Sequence, residues 1–341
     1  MTVTKGVFMA APLAEKVLGL LFERGGAPVS GEEMARSARV TRAAVWKAVE
    51  GLRAEGYEIE SVPARGYRLG GGPGALRAAE IEARTSGLSL KPVATVLSSV
   101  DSTNREAARM ADRGAREGTV VAALEQTAGR GRLGRNWFGK PGSALMASVV
   151  LKPALGPEKV ALLTYVAAVA LADALLKWLP AEAVEIKWPN DVLINGRKVA
   201  GILLESRIEG ASVDYVVLGL GVNVLGTRED LPAEFREASA VVEEEAGGAV
   251  APSPLAVLAS FLQELDGAYA AFLADGFTGV KDRFDRHFRM AGREVTVRSG
   301  ANLTTGVAKG VDGDGSLLIM SEDRILPIRV GDVLTGTTKG T

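Results

Sequence analysis

The chain has 341 residues, enough for two or three domains of ordinary size, and 47% hydrophobic with 24% charged residues suits packed cores rather than disorder. Its 40 Lys and Arg balance 41 Asp and Glu, which excludes a uniformly basic nucleic-acid coat. The absence of cysteine and the single histidine, His287, exclude disulfides, thiol nucleophiles and Cys/His zinc sites. Any chemistry falls to Arg, Lys, carboxylates and backbone amides, with Mg²⁺ as the metal open to it.

Lys5 precedes a short apolar stretch broken by Pro12 and Glu15, which makes a poor secretory signal. Ala14 to Glu23 reads as a helix stopped by Gly25-Gly26, and Ser30 with Glu33 offers a capping box for a second, short helix. Thr41 caps a third helix, Arg42 to Ala54, with Val45, Val49 and Leu52 on one face. Tyr57–Val62 and Tyr67–Leu69 around a Pro63–Gly66 turn make a hairpin. Three helices and a hairpin predict a winged helix-turn-helix over residues 1–70, followed by a Gly70–Gly74 linker.

Residues 75–280 mix strands and helices. Strands are predicted at Val93–Val100, Thr119–Leu124 and Ala144–Leu151, and a helix at Thr103–Arg113 with a Thr103/Glu106 capping box. Glu158–Leu179 reads as one core helix ended by Pro180. Its most apolar run, Val160 to Ala172, is shorter than the ~20 residues of a membrane span. A cytoplasmic protein is therefore expected. Asp191–Ile194 turns at Asn195-Gly196 into Lys198–Glu205, and a second hairpin leads into Tyr215–Val224, so the sheet is mixed α+β rather than doubly wound. Pro232–Pro254 reads as a helix with loops, and Leu255–Leu273 as an amphipathic helix. Residues 290–338 hold five short strands, a small barrel.

Gly129-Arg-Gly-Arg-Leu-Gly134 matches the dinucleotide-binding spacing, but Arg135 to Gly142 cannot open the helix that pattern requires. The glycines let backbone N–H groups approach an anion while Arg130, Arg132 and Arg135 supply charge, so a loop closing over a phosphate or carboxylate is expected. Lys187-Trp-Pro-Asn-Asp191, with Lys198 across the hairpin, reads either as turn chemistry or as a charged site in which Asp191 handles a proton or a metal-bound water. Asp101-Ser-Thr-Asn104 reads as a plain helix cap. Gly219 and Gly221 mark a close approach in an apolar strand. His287, near the start of the last domain, is expected to be structural.

Together, Asp101–Asn104, Gly129–Trp137, Lys187–Asp191, Lys198–Gly201, Gly219–Asn223 and Thr41–Lys47 resemble the bacterial biotin protein ligases, specifically the bifunctional ligase and biotin-operon repressor. The resemblance runs in order along nearly the whole chain. It implies a class II synthetase-like central domain and an SH3-like C-terminal barrel. It also implies a two-step reaction: biotin and ATP-Mg²⁺ give biotinyl-5′-adenylate, and a lysine of a biotin carboxyl carrier protein then takes the acyl group.

By the same resemblance, Arg132, Lys198 and Asp191 are catalytic. Biotin falls to Ser102, Thr103, Asn104, Gln126, Arg130, Gly131, Arg132, Lys198, Gly219 and Gly221. The nucleotide falls to Arg132, Trp137, Asn190, Lys198 and Asn223, with no protein metal ligands. Ser30, Thr41, Arg42 and Lys47 would face operator DNA, bound by a homodimer that assembles on the adenylate. Arg36, Arg39, Arg42, Lys47 and Arg53 are opposed only by Glu50, which suits phosphate contacts. A lipoate or octanoate ligase, a ligase with a non-regulatory DNA-binding domain, and a biotin sensor without catalysis are the alternatives.

Overall fold

The computed structural model of the protein describes residues 12–71, 76–247 and 252–334. Helices α1 (Pro12–Glu23), α2 (Gly31–Ala38) and α3 (Arg42–Ala54) pack with the hairpin β1 (Glu58–Val62) and β2 (Gly66–Gly71). Val17, Leu18, Leu21, Met34, Val45, Val49 and Leu52 form one core, as their helical spacing requires. Ser30 Oγ accepts the Glu33 N–H at 3.1 Å and Thr41 Oγ1 accepts the Ala44 N–H at 3.2 Å, so both residues cap their helices. Only half of the expected Ser30/Glu33 capping box forms, because the Glu33 carboxylate pairs with Arg24. Gly72 to Gly74, the last three residues of the expected linker, lie outside the described residues.

Helix α4 (Ala78–Arg84) seats this unit on the rest of the chain. Arg77, buried at its start, reaches Glu15 at 3.2 Å and Glu55 at 2.8 Å, while Tyr57 Oη donates to Glu80 at 2.7 Å.

The central sheet is built from β3 (Val93–Leu97), β4 (Thr119–Ala123), β5 (Ala144–Leu151), β6 (Val184–Lys187), β7 (Asp191–Ile194), β8 (Arg197–Glu209) and β9 (Ser212–Asn223). The spatial order is β3-β4-β5-β9-β8-β7-β6, and every pairing except β3 with β4 is antiparallel. Asn195 and Gly196 take φ of 50° and 76°, as a two-residue hairpin turn demands.

Helix α5 (Thr103–Asp112) covers one face, packing Ala107 and Ala111 on Val121, Val150 and Val217. The other face carries α6 (Leu163–Leu175), α8 (Pro254–Asp275) and α9 (Thr278–His287), with the short α7 (Val242–Glu245) falling between α6 and α8 in the chain. The expected single helix from Glu158 is instead a 3₁₀ turn, Pro157–Leu162, that runs into α6. It ends at Leu175, before Pro180, where the Leu176, Lys177 and Trp178 N–H groups bond to carbonyls three residues back. His287 ends α9, and its Nε2 lies 2.6 Å from Asp173 Oδ1 on α6, so it belongs to the central unit rather than to the start of the last one.

The last unit is a five-stranded antiparallel sheet of β10 (Glu294–Ser299), β11 (Asn302–Val311), β12 (Leu317–Ser321), β13 (Arg324–Ile328) and β14 (Asp332–Leu334), in the order β13-β12-β11-β10-β14. That order is compatible with an SH3-like barrel. Its β11–β12 turn docks on the centre: Tyr165 Oη and Trp188 Nε1 donate to the Gly315 carbonyl at 2.7 and 3.2 Å.

Candidate active site

Strands β8 and β9 pair Gly201 with Gly221 and Leu203 with Gly219, which strips side chains from one patch of the sheet. Trp137 lies over that patch. A Cβ on Gly221 would stand 2.3 Å from Trp137 Cε2, so only glycine admits the indole. The Trp137 ring also sits under Lys198, whose Nζ is 5.9 Å from the ring centroid. Lys198 Nζ is 2.7 Å from Asp191 Oδ1, which joins the two ends of the β7–β8 hairpin by one ion pair.

The Gly-Arg loop is irregular, with Arg132–Gly134 in a 3₁₀ turn and Leu133 at φ 55°, so no helix follows the glycines. Its three arginines pair with two carboxylates. Arg130 Nη2 donates to both carboxylate oxygens of Glu205 at 2.6 and 2.7 Å. Arg132 Nη1 donates to Asn190 Oδ1 at 3.0 Å and to Asp332 Oδ1 at 3.2 Å. Arg135 pairs with the other oxygen of Asp332. Asn190 in turn donates to the Ile202 carbonyl at 2.9 Å.

At the start of α5 the structure corrects the expected capping box. Ser102 is the cap residue and makes no side-chain cap bond, while Glu106 pairs with Arg109 and Arg113. Thr103 looks inward instead: Gln126 Oε1 accepts its N–H at 2.7 Å and its hydroxyl at 3.1 Å. The plain-cap reading of Asp101–Asn104 therefore gives way to a buried polar cluster, with Ser102, Thr103 and Asn104 all under 5% exposed.

These groups line one cavity of about 630 Å³, within the range of small-molecule sites. Every predicted ligand-site residue lines it, from Ser102 to Asn223, and so do Lys187 and Asp332. Asn223 is less free than expected, because its Nδ2 donates to the Ala240 carbonyl at 3.1 Å. Burial pulls the Lys187 ammonium below the ordinary lysine range, with Asp191 opposing the shift. Three residues escaped the sequence: Ser148, Glu205 and Asp332. Asp332 comes from the C-terminal sheet, 200 positions beyond Arg132, and no local pattern links the two.

Among the described residues no group of three or more His, Asp or Glu could hold a metal ion. The cavity's carboxylates, Asp191 and Asp332, are both engaged by cations. This donor set does not fit a protein-held Mg²⁺ site.

On α3, Arg42 and Lys47 are exposed, as a DNA-facing helix requires. Arg53 is not available to DNA: it pairs with Glu50 at 2.6 Å and donates to the Ile59 carbonyl at 2.7 Å.

A cavity walled by glycine strands and ringed by Lys187, Lys198 and Arg132 suits a ligand with an apolar body and acidic groups. Comparison with known proteins agrees. The Biotin/lipoate A/B protein ligase family matches residues 96–223, an HTH domain matches 14–68, and the Biotin protein ligase C terminal domain matches 291–336. The bifunctional ligase/repressor BirA of Bacillus subtilis is 33% identical over 331 residues, covering 96% of this chain and 100% of that one. The chain belongs to the biotin protein ligase family.

Within that family, the biotin--[acetyl-CoA-carboxylase] ligase of Paracoccus denitrificans is 39% identical over 230 residues, 66% of this chain and 92% of its own. The biotin protein ligase from Aquifex aeolicus, solved with biotin and ATP, superposes with a TM-score of 0.60 at 29% identity. It covers 71% of this chain and 97% of that one.

Proposed function

We propose that the protein is a biotin protein ligase that also acts as a biotin-responsive repressor. The convergence of Lys198, Arg132 and Lys187 on one cavity floored by Gly201, Gly219 and Gly221 carries this reading. In the first step a carboxylate oxygen of biotin attacks the α-phosphorus of ATP. The bond to the bridging oxygen breaks, and pyrophosphate leaves behind biotinyl-5′-adenylate. Two anions must meet, so fixed positive charge at that point is the main requirement, and Lys198 and Arg132 supply it. In the second step a carrier lysine amine attacks the acyl carbon, AMP departs, and the amine loses a proton. Asp191 orients that amine or receives the proton.

Ser102, Thr103, Asn104, Gln126, Gly219, Gly221 and the Arg130-Gly131 backbone are assigned to the ring system. Trp137, Asn190 and Asn223 are assigned to the nucleotide. Mg²⁺ enters with the ATP phosphates, in keeping with its reluctance to give up water for an all-protein cage. The acceptor is a biotin carboxyl carrier protein. The adenylate-loaded chain pairs through its central sheet, and two copies of α3, entered at Thr41 and Arg42, face operator DNA together with the wings.

Incubation with biotin, ATP, Mg²⁺ and a carboxylase biotin domain should release pyrophosphate and label one lysine of that domain. Turnover with lipoate and none with biotin would overturn the substrate assignment. A gel shift on DNA upstream of biotin genes should need both biotin and ATP, and a shift indifferent to them would remove the regulatory half.

A further inference from the structure

Given the reading of the cavity as a biotin site, we infer that Glu205 is a positioning residue for biotin, tying the Gly-Arg loop and the Asn104 amide to one point on β8. Its carboxylate accepts Arg130 Nη2 on both oxygens, at 2.6 and 2.7 Å, and Asn104 Nδ2 at 2.8 Å. Asn104 Nδ2 also reaches the Leu203 carbonyl at 3.3 Å, and Asn104 Oδ1 accepts the Ser148 hydroxyl at 2.7 Å. Both ends of the amide are thus engaged in one orientation, donors towards Glu205 and acceptor towards Ser148. Ser148 is fully buried on β5, where it pairs with Gly219, and its Oγ lies 2.8 Å from Thr103 Oγ1.

One polar chain therefore runs Gln126, Thr103, Ser148, Asn104, Glu205, Arg130. It starts beside β4, crosses α5, β5 and β8, and ends in the loop. Gly219 leaves the room it needs, since a Cβ there would stand 2.0 Å from Asn104 Oδ1.

This chain separates two jobs within one loop. The Arg130 guanidinium is committed to Glu205, so Arg130 serves as the anchored end, and its backbone is what the cavity meets. Arg132, two residues on, is the end that presents charge to ligand. A single carboxylate fixes both the floor, through Asn104, and the roof, through Arg130. Only an acceptor-only group satisfies all three hydrogen bonds. Glutamine at position 205 has the same shape, but it turns an NH₂ donor against either the Arg130 guanidinium or the Asn104 amide.

Calorimetric titration of biotin into full-length Glu205→Gln protein without nucleotide, with KM for biotin and for ATP from pyrophosphate release, tests this. Loss of hydrogen bonds to a charged group predicts biotin binding weaker by about tenfold or more. KM for ATP, which depends on Lys198 and Arg132, should stay within about twofold, and the thermal midpoint should be unchanged. A second variant, Arg130→Gln, removes the same anchor from the loop and should give the same split. The double variant should bind biotin no worse than the weaker single one.

Wild-type biotin affinity in Glu205→Gln, or an equal rise in both KM values with a lowered midpoint, overturns the positioning role while leaving the ligase reading in place. Wild-type protein that binds no biotin overturns the ligase reading and this role with it.

Discussion

Replacing Gly221 by alanine adds one methyl group where the Trp137 indole rests. The new Cβ would stand 2.3 Å from Trp137 Cε2 and 2.7 Å from Cζ2. Ordinary carbon contacts lie at about 3.5–4.0 Å, so the ring must retreat by roughly 1.2–1.7 Å. β9 cannot give way instead, because Gly221 is paired with Met146 on one side and Gly201 on the other. The ring's retreat takes it from beneath Lys198 and shifts the loop segment that carries Arg132. Displacement of about 1 Å in a group that positions reactants can cost roughly 10²-fold in rate, so kcat/KM for biotin-dependent pyrophosphate release should fall by about that factor. Trp137 is only partly buried and stands outside the main hydrophobic clusters, so the thermal midpoint should barely move. The clash requires the indole, so adding Gly221→Ala to a Trp137→Ala protein should cost little more. Full activity in Gly221→Ala, or fully additive losses in the double variant, would refute the stacking of Trp137 on this strand as a working element.

Lys198→Ala removes the charge that pairs with Asp191 and should slow adenylate formation by about 10²–10³-fold in single-turnover assays; near-normal rates would reject its role. Arg132→Gly loses the contacts to Asn190 and Asp332 and should let the adenylate escape, seen as biotin on unrelated bystander proteins; retained selectivity would argue against a clamp. The Asp101 carboxyl is held down to about 2, chiefly by its hydrogen bond to Arg109, against 3.8 in a free chain. Its folded value lies below its unfolded one, so its stabilising contribution is present above about pH 4 and is lost as pH falls towards 2. A ¹³C carboxyl titration of Arg109→Ala should show the midpoint rising towards 3.8, and an unmoved midpoint would contradict this cause.

Local patterns were legible where one segment determines its own structure. Ser30 and Thr41 cap their helices and Asn195-Gly196 turns its hairpin, because each depends on neighbours within a few positions, while the glycines of β9 betray a close approach without naming the distant Trp137 and Asn104 that make it. The same locality misled at Thr103 and Glu106. Their spacing fits a capping box, yet Ser148 and Gln126 offer Thr103 partners that lie 45 and 23 positions away in sequence. The move of His287 into the central unit likewise follows from a distant partner, Asp173. Of the site itself, the cations could be read because Gly and Arg cluster in sequence. Their anionic partners could not, since Glu205 looks like an ordinary strand-end charge and Asp332 lies in another unit.

The near balance of charge over the whole chain has its counterpart inside the site. Arg130, Arg135 and Lys198 are each matched by a carboxylate, and Arg132 shares Asp332 with Arg135. Arg132 is nonetheless suited to meet substrate, because a guanidinium presents five donors in a fixed fork. Nη1 alone carries the bonds to Asn190 and Asp332, while Nη2 has only a 3.4 Å contact to the Gly331 carbonyl. One edge of the fork thus holds the loop to the C-terminal sheet and the other is left for a carboxylate or phosphate. Asp332 anchors the arginine without consuming it. The C-terminal sheet is fixed in turn by Tyr165 and Trp188, and Trp188 stands in the same segment as Asn190 and Asp191. The Trp-Pro-Asn-Asp segment therefore works in both directions, seating the C-terminal unit on its buried side and presenting polar groups to the cavity on the other.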